Sequence, residues 1–339
     1  MHRGPVHRGP VHRGPVHRGP VHGGRGARRS RPVKVDHQRA PGPSGCSYPE
    51  EVTTLVLDGG LSTQLERLGA DLRDELWSAR LLLEEPELIR RAHASYFAAG
   101  ADVATTAGYQ ATIPGFVRRG LDVAEAERLL RLSVELAGQA RDEAGGGLVA
   151  ASVGPYGAYL ANGAEYTGDY DLDEDGLFAW HLPRWEVLAE AGADLLACET
   201  IPSFPEARAL ARLLGHTPEV KAWVSFSCRD GEHLNDGTPI REAAALFAGR
   251  SQAVAVGVNC TAPRHIPGLI SCLSGALPIV VYPNSGESWD PAGRRWVGLA
   301  DPVEYGQAAK EWQRAGASLI GGCCRTTPEH IRQIRAHLS

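Results

Sequence analysis

The sequence predicts an α/β protein folded as one (β/α)8, TIM-type barrel. Three observations carry that prediction. Eight short apolar, β-branched runs alternate with amphipathic stretches from residue 53 onward, which is the repeat count of such a barrel. The runs lack the in/out alternation of half-exposed strands, as expected for parallel strands covered on both faces. No G-x-G-x-x-G follows any run, which argues against a doubly wound dinucleotide fold.

The strand candidates are TTLVLD (53–58), DVATTA (102–107), LVAASVG (148–154), DLLACET (194–200), AWVSFS (222–227), AVAVGVN (253–259), PIVVYPN (278–284) and SLIGGCC (318–324). Between them lie helical patterns such as PELIRRAHASYFAAG, DVAEAERLLRLSVELAGQARDEA, LPRWEVLAEAG, FPEARALARLLG and PVEYGQAAKEWQRAG; PEHIRQIRAHL follows the eighth run. Several place acids early and arginines late, in keeping with the helix dipole, and several start at proline or stop at glycine.

Residues 1–50 read differently. Four HRGPV pentads precede a Gly- and Arg-rich stretch, and one valine per pentad buries too little to offset the entropy of ordering. This segment is expected to be a disordered basic tail, leaving 51–339 as the catalytic barrel. The net charge of −5 is the sum of a basic tail and an acidic remainder. An acidic body argues against nucleic acid as a partner. No run approaches the ~18 apolar residues of a membrane span, and the opening residues lack a secretory leader pattern. Seven cysteines, an odd number without a compact framework, favour reduced thiols and a cytoplasmic setting. Oligomeric state is not legible.

Active sites of barrels sit at the carboxyl ends of the strands. Three thiols meet that condition: Cys260 ends the sixth run, and Cys323 with Cys324 ends the eighth, two places around the barrel. Three thiolates make a soft anionic site for Zn²⁺ with one tetrahedral position open, which points to catalysis on an incoming ligand. A substrate sulfur is the natural guest, and the chemistry is then alkyl transfer to a thiolate. Ordinary buried thiols or a vicinal disulfide are the plainer explanation of the adjacent pair, and Cys228 is a substitute ligand. Asp58 and Glu199, also at strand ends, suit the ammonium of an amino-acid substrate, or else serve as a helix cap or ion pair. The glycine-rich loop 152–170 carries Tyr156 and Tyr166, rings able to cage a cationic donor or simply to lie on a mobile lid. Asn284 and Ser285 in YPNSGE suit a substrate carboxylate, or form an ordinary turn. Of 13 histidines, six lie in the first 50 residues and none forms H-E-x-x-H.

With GVNC and GGCC in place, and LDGGLSTQLERLG, TTAGYQAT, SVGPYGAYLANGAEYTGDY, GADLLACET and VVYPNSGE beside them, residues 53–337 resemble the homocysteine S-methyltransferase family. The similarity is greatest to its short, cobalamin-independent members that use S-methylmethionine. The resemblance implies a (β/α)8 barrel, zinc on Cys260, Cys323 and Cys324, and Asp58 with Glu199 on the homocysteine amino group. It implies small-molecule substrates: homocysteine and a cationic methyl donor, S-methylmethionine or S-adenosylmethionine. Betaine as donor, selenocysteine as acceptor, a dithiol oxidoreductase and a non-catalytic zinc- or thiol-binding barrel are the alternatives.

Overall fold

Every apolar run becomes a strand, and the eight strands close on themselves. The computed structural model describes residues 54–72, 77–275, 277–290, 295–297 and 300–338. The expectation for the segment 1–50 falls outside them. The strands are β1 (Leu55–Val56), β2 (Val103–Thr105), β3 (Leu148–Val153), β4 (Leu195–Ile201), β5 (Ala222–Phe226), β6 (Ala253–Asn259), β7 (Ile279–Tyr282), β8 (Ser288–Asp290), β9 (Arg295–Val297) and β10 (Ala317–Ile320). Strands β8 and β9 form a separate antiparallel pair; the other eight are parallel in the order β1-β10-β7-β6-β5-β4-β3-β2. A parallel bridge between Leu57 and Val103 joins the two ends. There Asp58 N–H donates to Val103 O at 3.0 Å and Asp102 N–H to Val56 O at 2.7 Å.

The barrel interior is filled by side chains rather than left as a pore. Trp223 on β5 is fully buried among Leu57, Val103, Ala150, Ala197, Ala255 and Val280. Alanines on β3, β4 and β6 leave the room that one indole takes up. Its Nε1–H donates to Tyr282 Oη at 3.1 Å, so the polar end of the ring is satisfied. A larger apolar layer lies outside the strands, where Val153, Leu196, Val224, Val256 and Ile320 belong to the same cluster as helix residues such as Ile89, Leu129, Leu210 and Ile331. Double coverage of this kind is why the strand runs read as continuously apolar. Strands β6 and β7 approach closely: a Cβ on Gly257 would stand 1.7 Å from Val280 O.

The helices read from the sequence are present, and one of them starts earlier than expected. The pattern LPRWEVLAEAG reads as a helix opening at Pro183, but the helix runs Glu174–Ala189 with Pro183 inside it. Asp173 sets the earlier start, its carboxylate accepting from Gly176 N–H at 2.9 Å, and this cap outweighs the proline signal. The β8–β9 pair was not expected, since three-residue strands are too short to show a pattern. No helix among the described residues is long and apolar enough to cross a membrane.

Candidate metal centre

Two strand ends bring three sulfurs together. Cys260 directly follows β6 and adopts φ +48°, a left-handed conformation that a non-glycine residue rarely takes. Its N–H donates to Tyr282 O at 3.3 Å. Cys323 and Cys324 follow β10 through Gly321 and Gly322, and both glycines are sterically required. A Cβ on Gly321 would lie 2.6 Å from Leu57 Cβ, and one on Gly322 would lie 2.4 Å from Thr326 Oγ1. The turn is fastened on three sides: Cys323 N–H donates to Pro283 O (2.8 Å), Ser285 N–H to Cys324 O (3.0 Å) and Thr326 Oγ1–H to Cys323 O (2.7 Å).

The three Sγ atoms lie within 4.8 Å of one another. Cys260 to Cys324 is 3.6 Å and Cys323 to Cys324 is 4.0 Å. Sulfurs sharing one tetrahedral zinc at ~2.3 Å stand about 3.8 Å apart, so the trio fits such an ion with little movement. The thiols are free rather than disulfide-bonded. Hydrogen bonds from Cys260 and Cys323 hold Cys324 well below the ordinary thiol range, while Cys323 is pushed up. A cation bound by the trio displaces the protons that remain on it. Cys198 and Cys228 are pushed up by burial and stand apart from the cluster, so Cys228 is not a substitute ligand.

The sulfurs face a cavity of about 180 Å³ that also holds Asp58 and Glu199. Asp58 Oδ2 accepts from Thr105 N–H at 2.9 Å, and burial raises its pKa well above the usual range. Ser152 Oγ–H donates to Glu199, and burial raises that carboxyl to about 7 against the opposing pull of Ser152 and Tyr282. Neither carboxylate caps a helix or enters an ion pair among the described residues, so the structural roles open to them in the sequence are not the ones they take. Beneath them Asn259 links three strands. Its Oδ1 accepts from Thr200 N–H (2.7 Å) and Ser225 Oγ–H (2.9 Å), and its Nδ2 donates to Thr200 Oγ1 (2.7 Å). Those bonds hold Thr200 at φ +62°, costly for a β-branched residue, between Glu199 and the barrel wall.

The other expected residues divide. Tyr166 reaches the cavity, with its hydroxyl 3.7 Å from Cys260 Sγ. Tyr156 does not line it. A short helix, Tyr156–Leu160, turns that ring into a cluster with Tyr159, Tyr170 and Trp180, and its hydroxyl donates to Asp171 at 3.2 Å. Asn284 and Ser285 also lie outside the lining; their backbone amides donate to Thr261 O and Cys324 O, so they brace the two cysteine turns. The sequence reading missed Tyr109, Glu165 and Arg325, all of which line the cavity. Tyr109 and Arg325 lie four and five residues beyond the ends of β2 and β10, so a strand-end search extended by five residues finds both.

Residues 55–338 match the family model described as homocysteine S-methyltransferase. The chain belongs to that family. It is 53% identical over 294 residues to homocysteine S-methyltransferase YbgG of Bacillus subtilis, covering 83% of this chain and 93% of that one. It is 46% identical over 308 residues to selenocysteine Se-methyltransferase of Brassica oleracea, covering 84% and 88%. Among solved structures, the metallated form of the homocysteine methyltransferase MmuM from Escherichia coli is similar at a TM-score of 0.75 and 50% identity, covering 84% of this chain and 96% of that one. As a member of the homocysteine S-methyltransferase family, the chain is a methyltransferase acting on small molecules, with a cysteine trio suited to a metal ion.

Proposed function

We propose that the protein transfers a methyl group from S-methylmethionine to the sulfur of L-homocysteine, giving two methionines, with Zn²⁺ held by Cys260, Cys323 and Cys324. The observation that carries this reading is the placement of three sulfurs and two buried carboxylates around one cavity at the carboxyl ends of the strands. A metal bound to the trio supplies Lewis acidity that keeps an acceptor thiol deprotonated at neutral pH.

The chain's own residues do the rest. Asp58 and Glu199 receive the homocysteine ammonium, and its positive charge compensates two carboxylates that burial otherwise disfavours. The cavity wall excludes water and aligns acceptor and donor. The acceptor thiolate attacks the methyl carbon, the bond from that carbon to the donor sulfur breaks, and its electron pair leaves a neutral thioether. Charge is destroyed in this step, so an enclosed, weakly polar setting favours it. No general base is needed, and no histidine is among the described residues that line the cavity.

The same site suits a selenol acceptor, a second reading favoured by the similarity to the Brassica enzyme. In this account the small-molecule substrates are the partners, residues 51–339 form the catalytic barrel, and 1–50 are a basic extension. Six free thiols among the described residues support a cytoplasmic setting. The test is methionine formation from homocysteine with S-methylmethionine, S-adenosylmethionine and betaine supplied in turn. Fastest turnover with S-methylmethionine is expected. Turnover with betaine alone, or with none of the three, overturns the donor assignment.

A further inference from the structure

A third carboxylate lies in the cavity, and the mechanism above does not use it. Glu165 lines the same space as Cys260 and Tyr166. Its Oε2 is buried without a hydrogen-bond partner. The backbone under it is fixed from several directions. Ser227 Oγ–H donates to Glu165 O at 3.3 Å and Asn235 Nδ2–H to the same oxygen at 3.5 Å. Gly157 packs so closely that a Cβ there would stand 2.3 Å from Glu165 N. The loop turns through left-handed Ala161 (φ +53°), Gly163 (φ +88°) and Gly168 (φ +71°) to make this fit. Surface loops rarely hold an acid so firmly with one oxygen unsatisfied.

The proposed substrates carry more cationic groups than Asp58 and Glu199 can receive. Each is an amino acid with its own ammonium, and the donor carries a sulfonium besides. Asp58, just beyond the end of β1, and Glu199 on β4 account for one ammonium. The donor's two cations remain, and they differ in one respect that matters for rate. The sulfonium loses its charge during transfer, so an anion beside it would stabilise the reactant more than the transition state and slow the step. The ammonium keeps its charge throughout, so an anion beside it strengthens binding without raising the barrier. The rings of Tyr109 and Tyr166, which also line the cavity, suit the sulfonium, because a neutral π face holds a cation weakly and releases it. From these placements we infer that Glu165 is the donor-specificity residue: its carboxylate takes the α-ammonium of the sulfonium donor.

This inference rests on the proposed donor class, and the experiment separates the two. Wild type and Glu165→Gln are compared with S-methylmethionine and with its desamino analogue, 4-(dimethylsulfonio)butanoate. Both turnover and direct calorimetric binding are read, and circular dichroism checks that the variant is folded. The expected result is a KM and Kd for S-methylmethionine raised about tenfold or more in the variant, with the KM for homocysteine within about twofold of wild type. The analogue should bind both proteins equally and weakly. An equal loss for both donors, or a raised homocysteine KM, overturns the inference. Failure of the wild type to use S-methylmethionine at all ends the donor assignment itself, and this inference with it.

Discussion

Glu199→Gln in the metal-free protein tests how the site uses burial. Glu199 lies on β4 with its carboxyl raised from 4.5 to about 7, burial being the main cause. The folded state therefore binds this proton more tightly than the unfolded chain, so unfolding free energy falls as pH rises from about 4.5 to about 7 and is level above that. The gap corresponds to about 3 kcal/mol between the neutral and charged forms. Glutamine keeps the shape and the acceptor for Ser152 Oγ but does not titrate. In urea unfolding with chelator present, wild type minus variant stability should drop by about 3 kcal/mol between pH 4.5 and pH 8. Other titrating groups cancel in the difference. The same variant should raise the homocysteine KM, since it removes a carboxylate that the substrate ammonium compensates. In the wild type, homocysteine binding should weaken below pH 7 as the carboxyl protonates. A stability difference that is flat with pH, or that grows as pH rises, refutes the reasoning.

Two further substitutions probe the scaffold. Asn259→Ala removes three buried hydrogen bonds and frees Thr200 from its left-handed conformation; a loss of about 3 kcal/mol in urea unfolding is expected, with a fall in kcat/KM. Gly257→Ala forces a methyl against Val280 O and pries β6 from β7, so a loss of roughly 3 kcal/mol should come with weakened metal binding, because these strands position Cys260. Thermal and calorimetric measurements check both, and unchanged stability in either contradicts the packing described.

The barrel was legible because parallel strands buried on both faces leave apolar runs that no surface pattern obscures. Boundaries were not: β10 ends at Ile320, so Cys323 and Cys324 belong to a turn rather than to the run SLIGGCC. The cysteines were readable since few other arrangements place three thiols at two strand ends. Tyrosines were harder. Four rings in one loop are equivalent in sequence, and only the helix Tyr156–Leu160 shows that Tyr156 packs inward while Tyr166 reaches the sulfurs. Asn284 and Ser285 have groups suited to a carboxylate, but their backbone is occupied in fastening the cysteine turns. Glu165 could not be singled out among the acids of its loop, because its backbone is held by Ser227 and Asn235, far along the chain.

The central claim is a single metal ion on Cys260, Cys323 and Cys324. Metal analysis of the purified protein and of Cys260→Ala, Cys323→Ala and Cys324→Ala, followed by zinc titration of each, tests it most directly. The account predicts about one zinc per wild-type chain, affinity lowered at least about a hundredfold in each variant, and no methyl transfer without metal. Full turnover by metal-free wild type, or undiminished zinc binding in the variants, contradicts it.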